Sequence, residues 1–183
     1  MFSEVELLRT VIMLQKNLGQ DKLASQRCIV TQLLRRLSME KASEHEGYFL
    51  NVTGLKRIGK GQAIGRSGYT FFPVKFTCRT FMPVPGETLQ GVVYRVCRTG
   101  AFMSCGPVNV VFLSTLKMPG YHYVAGEEPF FLGSDLSKIE TGVVVQFVVL
   151  AVRWIENVYG RKELQMLASI LGDNLGPISL CEW

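Results

Sequence analysis

The chain has 183 residues, of which 48% are hydrophobic and 19% are charged, and its formal net charge is +5. This composition is typical of a folded protein of one or two domains and excludes a disordered tail. The longest apolar run, 143–152, is interrupted by Gln146 and is well short of the ~20 residues that a membrane-spanning helix needs. We therefore expect no contact with a membrane, and the early glutamates in MFSEVELLRT argue against a secretory signal.

The first predicted elements are a strand and a helix. Residues 2–14 carry apolar side chains in the manner of one or two strands, and residues 18–41 have the pattern of an amphipathic helix. The apolar stripe of that helix consists of Leu23, Val30, Leu33, Leu34 and Leu37.

Two further strands are predicted in the same region. Residues 47–53 have the composition of a strand, and residues 69–82 alternate apolar Val74, Phe76 and Cys78 with polar side chains. One helix packed on a small antiparallel sheet predicts an α+β domain.

A basic loop rich in glycine joins these two strands. It contains Ile58-Gly59-Lys60-Gly61 and Gly65, but the spacing does not fit G-x-G-x-x-G and no helix follows to bind a phosphate. From these residues alone, a flexible connection is the favoured interpretation. The alternative is a docking loop, because glycines let a backbone approach a partner and four cations surround them, Lys56, Arg57, Lys60 and Arg66.

The segment Met82-Pro83-Val84-Pro85-Gly86 predicts a domain boundary, which divides the chain into domains 1–82 and 83–183. The first domain has 13 Lys and Arg against 6 Asp and Glu, whereas the second has 7 against 9. Because cations supply most of the affinity for nucleic acid, the second domain cannot bind RNA tightly through charge alone.

The second domain predicts a small barrel. In residues 86–116 glycines punctuate apolar strands, with a turn expected at Gly100-Ala101, as in the corners of an OB-fold. Residues 117–140 are interpreted as an insertion with structure or a partner of its own. Residues 143–155 predict a strand covered on both faces, and residues 164–168 predict the closing strand.

No pattern of a catalytic or metal site is present. The five cysteines are scattered and include no C-x-x-C pair, which favours reduced thiols in an intracellular protein. His45 and His122 have no further ligand at metal-binding spacing, and the sequence lacks a nucleophile elbow, a Walker lysine and H-E-x-x-H. We therefore predict a protein that is not an enzyme and uses no cofactor or metal.

Residues 86–116 resemble the RNA-binding OB domains first defined in a ribosomal protein. The turn Thr99-Gly100-Ala101-Phe102-Met103 and the strand Val111-Phe112-Leu113-Ser114 carry the resemblance. Thr99 stands where a stacking aromatic is usual, and Phe112 replaces a histidine. The first departure removes a platform for a base, whereas the second retains one.

The whole chain resembles subunit seven of the nuclear RNA polymerases, the stalk subunit. The resemblance rests on matches in the same order along nearly all of the chain, among them Met1-Phe2, Ile58-Gly59-Lys60-Gly61, Gly68-Tyr69-Thr70-Phe71-Phe72-Pro73-Val74-Lys75-Phe76, Gly86-Glu87, Gly106-Pro107 and Gly172-Asp173. Residues 117–140 and the apolar strand depart from the polymerase II form, in a way similar to the plant RNA polymerases IV and V, which serve RNA-directed gene silencing.

This resemblance implies a non-catalytic nuclear subunit with an RNP-like α+β tip domain followed by an all-β OB-fold barrel. The tip docks on the polymerase core near the clamp, beside the largest subunit and subunit six, through Ile58, Gly59, Lys60, Gly61 and Gly65. The family forms a heterodimer with subunit four, a small helical partner, and the barrel meets the emerging single-stranded RNA transcript.

For RNA contact we predict one set of aromatic and basic residues, Tyr94, Arg95, Arg98, Phe102 and Phe112. Phe102 and Phe112 could instead fill the barrel core, and Tyr94 and Arg95 could belong to an ordinary solvated face. The alternative function is a free-standing OB-fold RNA-binding or translation factor, which should show a basic barrel surface. A hydrolase should show clustered carboxylates or histidines.

Overall fold

The computed structural model describes residues 2–18 and 21–178, and packing divides them into two units, Phe2–Met82 and the residues from Pro83 onward. As predicted, the fold is mostly β, with one α-helix and several sheets. Within the described ranges, no helix combines the length and the apolar character needed to cross a membrane.

The N-terminal unit packs one helix on an antiparallel sheet. Its elements in chain order are β1 (Phe2–Leu14), a 3₁₀ turn (Gln15–Asn17), α1 (Lys22–Glu40), β2 (Ala42–Ser43), β3 (Gly47–Ile58), β4 (Gln62–Ala63) and β5 (Tyr69–Phe81). The strand order is β1-β5-β3-β2, and β4 pairs with β5. Lys41 takes a left-handed conformation with φ of 60° and ends the helix one residue before β2.

The core of this unit lies between α1 and one face of the sheet. Its buried residues come from β1, α1 and β5, namely Leu7, Val11, Met13, Ile29, Leu33, Leu37, Val74, Phe76 and Cys78. The alternation predicted for β5 is confirmed. The predicted helical stripe is partly wrong, because Ile29, Leu33 and Leu37 form the buried line at i, i+4 and i+8, whereas Leu23 and Leu34 are exposed.

Arg9 joins the end of α1 to the sheet. Its Nη2 atom lies 2.6 Å from Glu46 Oε2 and 3.7 Å from Glu40 Oε1, and its guanidinium lies 5.7 Å from the centre of the Phe49 ring. Burial by itself raises the pKa of the Glu46 carboxyl, but the hydrogen bond and the charge of Arg9 outweigh it and hold this pKa below its usual value. The ionised form of Glu46 is therefore favoured in the folded state.

We expect Glu46→Gln to lower the free energy of unfolding by ~1 kcal/mol at pH 7. Since the pKa of Glu46 is lower in the folded than in the unfolded chain, its stabilisation is present above pH ~4.3 and is lost as the pH falls through the folded-state pKa. Urea unfolding at several pH values checks this, and the difference from the wild type should vanish in acid. The matched control is Glu6→Gln, which breaks the exposed Lys75–Glu6 pair and should cost less than about 0.5 kcal/mol. Equal losses of unfolding free energy in the two variants would show that the Arg9–Glu46 pair stabilises the fold no more than the exposed Lys75–Glu6 pair does.

The second unit contains the barrel and a small additional sheet. Its strands in chain order are β6 (Thr88–Cys97), β7 (Gly100–Cys105), β8 (Val108–Ser114), β9 (Tyr121–Val124), β10 (Phe130–Gly133), β11 (Lys138–Ile139), β12 (Val144–Glu156), β13 (Lys162–Ser169) and β14 (Gly176–Pro177). A 3₁₀ turn, Thr115–Lys117, follows β8.

Five of these strands close into a barrel in the order β13-β8-β7-β6-β12, because β12 also pairs with β13. The contact between β8 and β13 is parallel, and the other contacts are antiparallel. The side chains that fill the interior are buried and mainly aliphatic, among them Val93, Val96, Ala101, Met103, Val111, Leu113, Val145, Phe147, Val149, Leu164, Met166 and Ala168. Inward and outward positions alternate along the strands, except where β-bulges interrupt the pairing, as between Val93 and Arg95 on β6 and between Val149 and Ala151 on β12.

The barrel corrects two predictions. The turn between β6 and β7 lies at Arg98-Thr99, so Gly100 begins a strand instead of forming the turn. β12 is not covered on both faces, since the inward Phe147 is fully buried whereas Leu150 remains 38% exposed. The apolar run of β12 therefore does not indicate burial of both faces, because only one face packs against the interior.

Residues 117–140 form structure of their own, as one of the two interpretations expected. β9, β10 and β11 make a three-stranded antiparallel sheet, in which the rings of Tyr123 and Phe131 meet edge to face at 5.6 Å. Tyr121 Oη and Ser137 Oγ lie 2.6 Å apart, and Ser137 Oγ donates to Asp135 at 2.6 Å. The inserted sheet is thus held by an aromatic contact and by side-chain hydrogen bonds among Tyr121, Ser137 and Asp135.

Candidate nucleic-acid interface

Three aromatic rings form a row on the outside of the barrel, which we call the aromatic ladder: Tyr94, Phe102 and Phe112. The ring centres of Tyr94 and Phe102 are 6.5 Å apart, and those of Phe102 and Phe112 are 4.9 Å apart. Tyr94 is 46% exposed, and the two phenylalanines are half-buried. The ladder therefore places three partly exposed aromatic rings on three neighbouring strands.

Strand alternation places the phenylalanines outside. On β7, Ala101 and Met103 are buried in the interior, so Phe102 between them points outward. Phe112 pairs directly with Phe102 across β7 and β8 and shares its face. The interpretation that the two rings fill the barrel core is therefore wrong.

A β-bulge explains why Tyr94 and Arg95 are both exposed. The pairing of β6 with β7 passes from Val93 directly to Arg95, which leaves Tyr94 as the extra residue. Arg95 lies opposite Phe102, and its guanidinium carbon is 5.4 Å from the centre of that ring. A cation and three rings thus occupy one patch, the combination that binds phosphate and stacks bases.

The remaining predicted residue, Arg98, is exposed in the turn between β6 and β7.

The neighbouring residue, Thr99, has its hydroxyl 3.3 Å from Cys97 Sγ. This hydrogen bond is the main reason that the pKa of the Cys97 thiol is lowered. The Cys105 thiol, at the other end of β7, shows the opposite shift, because burial raises its pKa to about 11. Thr99 therefore has a hydrogen-bond partner within its own hairpin.

A groove with a volume of about 400 Å³ adjoins the aromatic ladder. Its lining is mostly apolar and comes from β7, β8, β12 and β13, and it includes Phe102, Val110, Phe112, Ala151, Arg153, Gln165 and Leu167. Arg153 and Gln165 were missed from the sequence, because only the pairing of β8 with β13 and of β13 with β12 brings them beside Phe112. No local motif marks them.

Of the predicted docking residues, Ile58 is the half-buried last residue of β3 and packs against the core. The glycines and Lys60 lie in the connection between β3 and β5. Gly59 donates its N–H to Pro73 O at 2.7 Å, and a Cβ at Gly59 would lie 2.5 Å from Pro73 Cγ. A Cβ at Gly61 would lie 2.7 Å from Phe72 Cε1. Gly59 is therefore required for close packing on β5, and a side chain at Gly61 would displace the Phe72 ring, a reason for these glycines that neither sequence interpretation considered.

The tip of this connection is an ordered hairpin end. Ile64 donates its N–H to Tyr69 O at 3.0 Å, and the Ser67 hydroxyl donates to Ile64 O at 2.7 Å. Gly65 has φ of 48° with open space around its Cα, so it supports the turn. Lys60 and Arg66 are exposed. The segment is therefore an ordered, hydrogen-bonded turn with exposed cations, and not the flexible connection that the residues alone favoured.

The described residues contain no group of three or more His, Cys, Asp or Glu side chains that could hold a metal ion. His45 and His122 are exposed, in line with their polar surroundings in the sequence. Over the described ranges the cysteines Cys28, Cys78, Cys97 and Cys105 are free thiols.

Comparison with known proteins gives similarity along almost the whole chain. It is 39% identical over 98% of its length to DNA-directed RNA polymerase V subunit 7 of Arabidopsis thaliana, of which it covers 99%. It is 44% identical over 83% of its length to DNA-directed RNA polymerase IV subunit 7 of the same plant, covering 86% of that protein. Identity falls to 30%, over 82% of this chain and 83% of the relative, with the polymerase II subunit RPB7 of Glycine max. No protein-family model matches the chain.

Proposed function

Because the chain belongs to the subunit 7 family of DNA-directed RNA polymerases, we propose that it is a non-catalytic stalk subunit of a nuclear RNA polymerase that contacts emerging single-stranded RNA. The observation that carries this proposal is the end-to-end similarity to the polymerase V subunit. The higher identity to the polymerase IV and V subunits than to the polymerase II subunit supports a role in RNA-directed silencing.

The N-terminal unit would be the tip domain that docks on the polymerase core near the clamp, against the largest subunit and subunit six. The docking segment would comprise Ile58, Gly59, Lys60, Gly61 and Gly65. Its support is the ordered hairpin end with exposed cations, together with the basic excess of residues 1–82. An ordered loop loses little conformational entropy on binding, which favours such a segment for docking.

The second unit would be an OB-fold whose outer face meets RNA, and subunit four would pair with the chain as a heterodimer. The aromatic ladder and Arg95 support RNA contact through stacking and charge. Residues 83–183 carry 7 Lys and Arg against 9 Asp and Glu, so long-range attraction adds little. The contact would be weak in isolation and would depend on the polymerase holding the barrel beside the transcript.

Charge reversal in the docking segment tests the placement of the tip. We expect the double variant Lys60→Glu and Arg66→Glu to lower co-purification of the largest polymerase subunit about tenfold or more, because like charges at an interface cost several kcal/mol. Quantitative mass spectrometry of the tagged full chain from its native cells measures this. Glycine variants are unsuitable, since a Cβ at Gly59 would disturb the sheet itself.

The matched control is Arg27→Glu with Arg35→Glu, which makes the same charge change on exposed positions of α1. Retained assembly in both double variants would show that docking uses another surface. If the wild-type chain brings no polymerase subunit with it but still crosslinks to RNA, the stalk role is wrong and a free-standing RNA-binding protein takes its place.

A further inference from the structure

The groove and the aromatic ladder share two side chains. Phe102 and Phe112 form the inner end of the ladder and also line the groove. From Phe112 the outer face of the barrel continues through Leu167 on β13 to Ala151 on β12, since these residues pair in register. A chain that stacks on the ladder can therefore reach the groove without leaving the barrel surface.

Two polar side chains of the groove, Arg153 and Gln165, lie on β12 and β13, whereas the polar Thr99 lies in the turn between β6 and β7. Arg153 and Gln165 pair directly across β12 and β13, and Val110 lies opposite Gln165 on β8. None of the described residues that line the groove is a carboxylate. The surface between Phe102 and Arg153 is mostly apolar. Arg95 lies over Phe102 at one end of this surface, and Arg153 lies at the other end.

This arrangement distinguishes the groove from the aromatic ladder. Ring faces stack any base and carry little preference. Arginine, by contrast, pairs with N7 and O6 of guanine, and glutamine pairs with N6 and N7 of adenine. Both contacts include N7, an acceptor that purines carry and pyrimidines lack. A volume of about 400 Å³ lies near the lower end of small-ligand clefts, which suits a single base.

We propose that the groove receives one purine base of the single-stranded RNA, next to the nucleotide stacked on the aromatic ladder, and that Arg153 and Gln165 read its edge. This inference rests on the proposed RNA contact of the barrel. The groove would give the barrel a preference among bases, whereas the aromatic ladder alone would bind single-stranded RNA of any sequence with similar affinity. The apolar floor of Val110, Ala151 and Leu167 holds the faces of the base, and the two polar side chains hold its edge.

The test is fluorescence anisotropy of the full chain with a short oligouridine and with the same oligomer carrying one central guanine or adenine. We expect the wild-type chain to favour the purine-containing oligomers about fivefold or more, as one good base-edge contact allows. Arg153→Gln and Gln165→Leu should each reduce that preference to below about twofold. Arg161→Gln, which removes the same charge from the exposed hairpin between β12 and β13, should keep it.

The outcomes separate the two proposals. If the wild type shows no purine preference, or both groove variants retain it, the groove does not read a base. Weaker binding of oligouridine by Phe102→Ala than by the wild type would still support the RNA contact. If the wild type binds oligouridine no better than Phe102→Ala does, the RNA contact fails and the groove proposal fails with it. If the groove variants keep the preference but lose polymerase subunits on co-purification, the groove docks a protein and the inference is overturned.

Discussion

Phe102→Ala is expected to reduce crosslinking of the chain to single-stranded RNA about fivefold or more. Phe102 is the central ring, since it contacts Tyr94 and Phe112 and carries Arg95 above its face. Its loss removes one stacking platform and also leaves the other two rings without their common neighbour. Base stacking on one aromatic side chain contributes about 1–3 kcal/mol, which sets the expected size of the effect.

The measurement is ultraviolet crosslinking of the purified full chain to labelled single-stranded RNA at fixed salt. Phe102→Tyr retains the ring and should restore most of the yield. Tyr159→Ala is the matched control, because Tyr159 is an aromatic residue of the same unit that is 81% exposed and lies outside the aromatic ladder. Equal yields from Phe102→Ala and the wild type, with both chains folded by circular dichroism, would remove the ladder from the RNA contact.

Gly100→Ala is expected to destabilise the second unit by about 3 kcal/mol or more. Gly100 has φ of 155°, and a Cβ there would lie 2.2 Å from the backbone oxygen of Leu113 and 2.9 Å from Phe112 Cε2. The first contact involves backbone of the paired strand β8, which cannot move without breaking the pairing of β7 with β8. The barrel must therefore open at this point or lose its register.

Gly106→Ala supplies the control at the other end of the same strand. Gly106 also has a positive φ, 54°, but a Cβ at this position would have no other atom within 4 Å, so only the backbone preference is lost, about 1–2 kcal/mol. Urea unfolding followed by circular dichroism compares the two variants. Equal destabilisation would show that conformation alone, and not the close approach of β8, requires glycine at position 100.

Several features of the fold follow from local sequence. In β5 the alternation of Val74, Phe76 and Cys78 with polar neighbours identifies both the strand and its buried face. The helix is found for the same reason, although its buried line runs through Ile29 and not through Leu34. Hydrophobic periodicity identifies the helix, but where two leucines are adjacent it does not determine which of them faces the core.

The outward position of the ladder could not be read from the sequence. In Gly100-Ala101-Phe102-Met103 three successive residues after the glycine are apolar, so alternation does not say which of them faces the core. Only the closed barrel decides it, because Ala101 and Met103 are fully buried in the interior and Phe102 between them faces outward. The groove residues Arg153 and Gln165 were out of reach for another reason, since long-range strand pairing creates their neighbourhood.

The bulge at Tyr94 determines how the aromatic ladder can change by deletion or insertion of a residue. Since Tyr94 has no partner on β7, a one-codon deletion there would leave Val93 opposite Met103 and Arg95 opposite Phe102, the pairs that already exist. No inward residue would be turned outward, unlike a deletion at a paired position, which reverses every side chain beyond it. The aromatic ladder can thus lose or regain one ring through a single-codon deletion or insertion, without rebuilding the barrel around it.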